Sequence, residues 1–594
     1  NGYQKDNRNN INTTLRLNYD LSSLLTKGLS VHGSIAYDSY YYSRKKYSKT
    51  FPYYLARRDA EDPDYIYLIP QSEESIWSVS TGWDKNRKVY MEFGIDYNRT
   101  FGLHKTTALI LYNQSKYYSP SLQYYVPNAY QGLVGRLTYE YASRYLAEFN
   151  MGYNGTENFA KGKRFGFFPA VSLGWVISEE KFFPKNNIVK YLKVRGSYGE
   201  VGNDQIGGDR FLYLPSSYGA ASDSGVNKYN FGLASNPYTS LMIVENKIGN
   251  PDLTWEKAKK MNVGVDINLF NNCLTASFDI FKEKRNNILA NRSTSPMIIG
   301  ANLPAYNFGE MENRGWEMDL NFRHHIQDFH YWARFNYSFA RNEIIYMDEV
   351  QKRYDYQMTT GRRKNQFFGL IFDGYYNSWE EINALDRPKS SWSGNQLQPG
   401  DVKYVDVNQD GVIDDYDMVP IGYTPVPEII YGFSFGAQYK GFDFSILFQG
   451  ADNVSIKYFG RSMWPFAKGE ESAKSLIKER WTQERYEAGE KITFPRLSLN
   501  PNGETDHNYR PSTLWIRDAS YLRLKNLEVG YTFTGGFVKR LNLNSVRLYF
   551  NGSNLFTWTD VVDLDPEAPS RSGNVEINTY PLQKVYNIGL NINF

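Results

Sequence analysis

Apolar and polar residues take turns along most of this chain. Tyr431, Phe433, Phe435, Ala437 and Tyr439 fall on one parity, and Gly432, Ser434, Gly436 and Gln438 on the other. After Lys440 and Gly441 the pattern resumes, with Phe442, Phe444, Ile446 and Phe448 set against Asp443, Ser445, Leu447 and Gln449. Side chains of a strand point alternately to its two faces, so each run predicts a strand with one greasy side and one mostly small or polar side. The two-residue gap predicts a tight hairpin. The same period recurs over residues 15–21, 31–37, 89–97, 168–176, 191–198, 261–270, 274–281, 316–322, 527–533, 546–550 and 586–594.

Counted along the chain, this rhythm gives about 17 strands. Their connections alternate between short turns, as at 102–105, 142–144 and 440–441, and long stretches, as at 202–250 and 343–428. Further long stretches reach to residue 88 and to residue 520. Loops segregated by length in this way predict an all-β, transmembrane antiparallel β-barrel with short periplasmic turns and long extracellular loops. Loop parity makes the first and last strands run the same way, so an even-stranded barrel requires an odd number of strands before Asn1. One segment departs from the rhythm. Residues 470–488, with Ala473, Ile477 and Trp481 at four-residue spacing and Gly489 as a stop, predict an amphipathic helix inside a long loop.

Composition sharpens the picture. Among 594 residues there are 50 Tyr, 36 Phe and 12 Trp, and no apolar run approaches the roughly 20 residues of a membrane helix. A mean hydropathy of −0.57 does not argue against a membrane barrel, because only every second residue of such a wall faces lipid. The net charge of +3, from 67 basic and 64 acidic residues, gives no electrostatic reason to expect nucleic acid as a partner. The single cysteine, Cys273, excludes an internal disulfide framework and a cysteine metal cluster. The chain starts at Asn1 with no initiator methionine or signal peptide, and is read as part of a longer gene product.

Candidate chemistry is concentrated in one acidic loop. Asp406, Asn408, Asp410, Gly411, Val412 and Asp417 match positions 1, 3, 5, 6, 7 and 12 of a calcium-binding loop, with Asp414 at position nine. Hard oxygen ligands converging there would hold a structural Ca²⁺ or Mg²⁺. Asp417 in place of the usual glutamate shortens the reach, and the alternative is a loop whose carboxylates satisfy their own backbone. Gly432 to Gly436 spells Gly-x-Ser-x-Gly, but unbroken alternation on both sides is incompatible with a strand-to-helix nucleophile elbow. Gly196, Gly199 and Gly202 miss the dinucleotide spacing and are read as places where a strand passes a close neighbour. The six histidines show no metal spacing, and no redox or nucleotide cofactor is expected. Aromatic residues at strand ends belong to interfacial girdles. The loop aromatics Tyr53, Tyr54, Trp392 and Trp464 are the candidates for stacking on a sugar ring, with loop packing as their alternative role.

At 399–450 the sequence resembles the SusC/RagA family of TonB-dependent outer-membrane transporters. The resemblance rests on Pro399 to Tyr404 leading into the acidic loop, Ile421-Gly422, Tyr431 to Phe433 and Tyr439 to Asp443. It continues at Asn250 to Lys257, Gly309 to Glu317, Ser520 to Asn526 and the terminal strand ending at Phe594. Over residues 1–250 only the β rhythm and Leu24 to Leu29 support it. The resemblance implies a 22-stranded barrel closed by an N-terminal plug, so that residues 1–594 would be its C-terminal portion, without the plug and first strands. It further implies active import, driven by the TonB complex through the missing N-terminal region, of an oligosaccharide or a peptide, with a SusD-like surface lipoprotein as lid. A glycan is the first expectation, and a peptide importer or a passive porin the alternatives. An enzyme is not expected, since no spacing supplies a catalytic constellation.

Overall fold

The computed structural model describes residues 2–594 apart from 60, 63, 123–124, 207–209, 215–218, 221–227, 233–237, 242, 245–247, 295–302, 393–396, 459–463, 467–474, 499–505, 563, 568–573 and 576–581. Seventeen strands belong to its large antiparallel sheet, as the alternation predicts. Packing divides the chain into two compact units: Asn1–Val171 with Glu200–Glu256 and Ala301–Ala305, and Ser172–Gly199 with Lys257–Gly300 and Tyr306–Phe594.

In the first unit β1 (Gly2–Asp20), β2 (Leu29–Ser48), β3 (Ser78–Phe101), β4 (His104–Tyr118), β5 (Asn128–Tyr141) and β6 (Tyr145–Thr156) pair in chain order, each antiparallel to the next. Then come β7 (Phe165–Val176) and β8 (Val189–Asn203), whose residues Ser172–Gly199 are counted in the second unit. These strands are longer than the alternation predicts. β3 has 24 residues, more than twice the roughly 9–11 that cross a membrane. The stretch from 38 to 88, expected as loop, is largely strand, with a short ribbon of Tyr54–Arg58 and Ile66–Pro70 beyond it. The reason is physical. The backbone ladder continues wherever each N–H and C=O finds its partner, whereas alternation persists only where one face must be apolar.

The second unit carries β9 (Glu256–Leu269), β10 (Leu274–Ala290), β11 (Tyr306–Ile326), β12 (Phe329–Tyr346), β13 (Ile429–Tyr439), β14 (Phe442–Asp452), β15 (Tyr521–Phe533), β16 (Ser545–Thr559) and β17 (Val585–Asn593). Their register stacks like with like. Leu269, Leu274, Phe322, Ala333, Phe435, Ile446, Leu527, Gly552 and Tyr586 form one row across all nine strands. On the other parity Asp266, Ser277, Asp319, Asn336, Gly432, Gln449, Arg523 and Thr557 form a second row. One face is therefore greasy and the other wet. β1 pairs with β2 along its whole length, and β17 with β16.

The helix expected over 470–488 is not a single helix. Residues 470–474 lie outside the described residues. A 3₁₀ turn covers Ser475–Glu479 and a separate helix Gln483–Glu487. Trp481 stands between them because its backbone N–H donates to the Phe494 carbonyl at 2.8 Å and its ring is buried. The Thr482 hydroxyl then caps a new helix by accepting from the Arg485 N–H. Gly489, at φ +66°, ends it as expected.

Candidate functional site

The wet face of the second unit is organised around arginines. Arg195 donates to both oxygens of Asp279 at 2.7 Å and to Asp266 at 3.1 and 3.3 Å. Arg547 bridges Asp443 and Glu528. Arg523, almost wholly buried, pairs with Asp565 at 2.7 Å and Glu567 at 2.6 Å, tying residues 565–567 back to β15. In each network fixed carboxylates surround a guanidinium, the arrangement that makes charge tolerable away from bulk water. The result is a polar wall in which these guanidinium groups are each paired with carboxylates.

Beyond the strands, residues 347–428 and 453–520 fold together on a core of their own. Leu370, Val402, Tyr404, Trp481, Phe494, Tyr509 and Trp515 are among its buried members. Asp401, upstream of the acidic loop, is a polar hub inside it. Its carboxylate accepts from Arg496 Nε at 2.6 Å, Asn508 Nδ2 at 2.7 Å and the Gln398 N–H at 2.8 Å. Where this excursion returns to β13, buried Glu428 receives Arg341 at 2.8 Å together with Arg363 and Asn453. Burial alone would push the Glu428 carboxyl up, but the two guanidinium groups outweigh it and hold it below the usual carboxylate range.

A serine–histidine pair that sequence spacing does not reveal lies in the same core. Ser390 Oγ is 2.9 Å from His507 Nδ1, and His507 Nε2 is 2.8 Å from the Val402 carbonyl. That carbonyl can only accept, so Nε2 carries the proton and Nδ1 accepts from the serine hydroxyl. Both residues are buried. Burial pushes the imidazole below its ordinary value. With a carbonyl where a triad has a carboxylate, and both side chains buried, the pair serves as a packing contact. The two residues are 117 positions apart, which no motif could link. Ser434 sits within continuous β13, paired on both sides, so no nucleophile elbow exists there.

The acidic loop is satisfied by its own backbone. Asp406 accepts from the N–H groups of Gln409 and Gly411 at 2.7 and 2.8 Å, Asn408 from Asp410, and Asp410 from Val412. Asp414 and Asp417 form a reciprocal capping box. Asp417 is fully buried and accepts from Val407 at 2.8 Å and Asp414 at 2.9 Å. Burial raises its carboxyl pKa despite these bonds. Among the described residues no three acidic, histidine or cysteine side chains converge as a metal would require. Folded this way, the loop's carboxylates cap its own N–H groups. Gly411, at φ +81°, makes the sharp turn that the spacing predicts.

The four loop aromatics separate. Trp464 is buried beside Tyr509, ring centroids 5.5 Å apart. Trp392 packs against the same core under the Arg510 guanidinium, 4.1 Å from its ring. Tyr53 and Tyr54, in the first unit, are 61% and 54% exposed. Of the three glycines, Gly202 does pass a close neighbour, since a Cβ there would strike the Phe168 ring, whereas Gly196 has room.

The family model described as "TonB dependent receptor-like, beta-barrel" matches residues 1–555. TonB-dependent receptor P3 of Formosa agariphila is 28% identical over 479 residues, covering 77% of this chain and 45% of that protein. TonB-dependent receptor SusC of Bacteroides thetaiotaomicron is 28% identical over 477 residues, covering 79% and 44%. Among solved structures, the RagAB peptide transporter superposes with a TM-score of 0.72 at 19% identity, covering all of this chain and 62% of that one. The chain thus spans less than half the length of these curated relatives.

Proposed function

The chain belongs to the TonB-dependent receptor β-barrel family, and from that membership we propose that it forms the wall and outer loops of an active importer in the bacterial outer membrane. The family is one of outer-membrane transporters, so the greasy rows lie against acyl chains and the wet rows face away from them. The observation that carries the reading is this strict division of faces across nine consecutive strands.

The substrate class we propose is an oligosaccharide, delivered with a SusD-like surface lipoprotein as lid and drawn in when the TonB complex pulls on a plug. Exposed Tyr53 and Tyr54 support it, since a ring with a free face can stack on a sugar. A peptide is the second reading, because such rings serve peptides as well. Uptake of labelled oligosaccharides and peptides by cells expressing the full-length receptor and its lid tests both. Uptake of the glycan alone, abolished by a proton-motive-force uncoupler, is expected. Uptake that survives the uncoupler would mean a passive channel, and uptake of peptides alone would move the substrate to the second reading.

A further inference from the structure

In the first unit, the greasy face of β1 to β4 continues past its apolar rows toward the long-loop ends and there becomes purely cationic. Lys5, Lys45, Lys85, Arg87 and Lys116 share that face, by parity with Leu15, Ile35, Met91 and Tyr112. No acidic residue shares it over the same stretch; Asp6, Asp38 and Asp84 all lie on the other parity. The second unit supplies the contrast. There two cations on the corresponding face have acidic partners beside them, Lys282 with Glu312 at 2.9 Å and Lys284 with Glu310 at 3.0 Å.

Lys5, Lys85 and Arg87 of this face lie on aromatic rings instead. Arg87 lies 4.5 Å from the Tyr118 ring centroid and Lys85 lies 5.3 Å from that of Trp83. With Tyr37, Tyr41 and Tyr125 these residues line a hollow of about 600 Å³. Arg87 is two residues from Val89, where the alternating apolar run of residues 89–97 ends, which sets the hollow at the upper border of the lipid belt. Further out, Lys5 and Lys45 stand directly opposite each other, a like-charge pairing that is unfavourable unless an anion lies between them.

We propose that this hollow binds the phosphorylated sugar headgroup of an outer-leaflet glycolipid. The aromatic walls offer faces to the sugar, Arg87 and Lys85 offer charge-assisted donors to a phosphate monoester, and the apolar rows below receive the acyl chains. A lipid is the occupant because the site opens on the face turned toward acyl chains, where a transported solute does not pass.

The test uses the full-length receptor in detergent, incubated with bisphosphorylated lipid A or with its phosphate-free form, and counts retained lipid by native mass spectrometry. Wild type is expected to retain only the phosphorylated form, and the double substitution R87Q/K85Q to lower retention about tenfold. The charge-keeping pair R87K/K85R serves as the rescue and R44Q/K46Q, on the opposite parity of β2, as the control. Both are expected to retain lipid as wild type does. Heat-modifiable electrophoretic mobility verifies that each variant is folded. Equal retention of the phosphate-free lipid, undiminished retention by folded R87Q/K85Q, or full displacement by millimolar inorganic phosphate would overturn the proposal.

Discussion

The two largest aromatic-rich excursions of the second unit and the excursion at 49–77 of the first have similar compositions and opposite fates. Residues 347–428 and 453–520 close on a shared core in which Trp481, Phe494, Tyr509 and Trp515 are buried. At 49–77, Phe51, Tyr53, Tyr54, Tyr65, Tyr67 and Trp77 are all exposed. An aromatic residue is core where a second long segment folds over it, and available surface where a two-stranded ribbon has only itself to pack on. Composition does not distinguish the cases; the number of covering segments does.

The sharpest way to break this comparison is to truncate one ring in each region. Trp515→Ala is expected to destabilise the loop core by about 3–5 kcal/mol, read as lost amide protection over residues 370–404 and 509–516 while the strands stay protected. Replacing Asp401 by Ala should have a comparable or slightly smaller effect, about 3 kcal/mol, because Arg496 and Asn508 lose a buried partner. Protection retained in both variants would mean that the core is not a cooperative unit.

Acidification sharpens the comparison further. His507 is held neutral by burial, so its contribution is fully present above the ordinary imidazole pKa of about 6.5. Stability falls below that pH, because the unfolded loop takes up a proton that the folded loop refuses, by at most about 1.4 kcal/mol per pH unit. Hydrogen exchange at neutral and mildly acidic pH, corrected for intrinsic rates, should show the core loosening and the 49–77 ribbon unaffected. His507→Gln should remove the difference.

At the small end, Tyr53→Ala with Tyr54→Ala should change stability by no more than about 0.5 kcal/mol while weakening ligand binding, measured by calorimetry on the full-length receptor. Smallest of all is the response to chelator. A loop whose carboxylates already cap its own N–H groups should unfold at the same temperature with calcium or with EDTA. A calcium-dependent rise in melting temperature would instead support a structural cation held by Asp406 to Asp417.

The wall was legible because its physics is local and periodic. Burial of one face forces a period of two, and the β13–β14 hairpin could be placed to the residue through Lys440 and Gly441, with Tyr439 opposite Phe442. Strand ends were not legible. Beyond the apolar rows β2 continues through Ser43, Arg44, Lys45 and Lys46 with no pattern to betray it. The loop core was illegible for a different reason. Its contacts join residues about a hundred positions apart, such as Trp481 with Asn377 or Ser390 with His507, and Trp481 broke a helix that its spacing had favoured. The acidic loop was legible as a turn, since spacing dictates which N–H each carboxylate can reach, but the same spacing serves metal and backbone alike.

The central claim is that alternate residues of one strand meet lipid and its opposite. A spin label placed singly at Phe433 and at Ser434 of the full-length receptor in bilayers, in a Cys273→Ser background, tests it most directly. The label at 433 is expected to collide with dissolved oxygen and to be shielded from a water-soluble nickel chelate, and the label at 434 to lie outside the oxygen-rich layer. Equal oxygen accessibility at the two positions, or the reverse order, would contradict it.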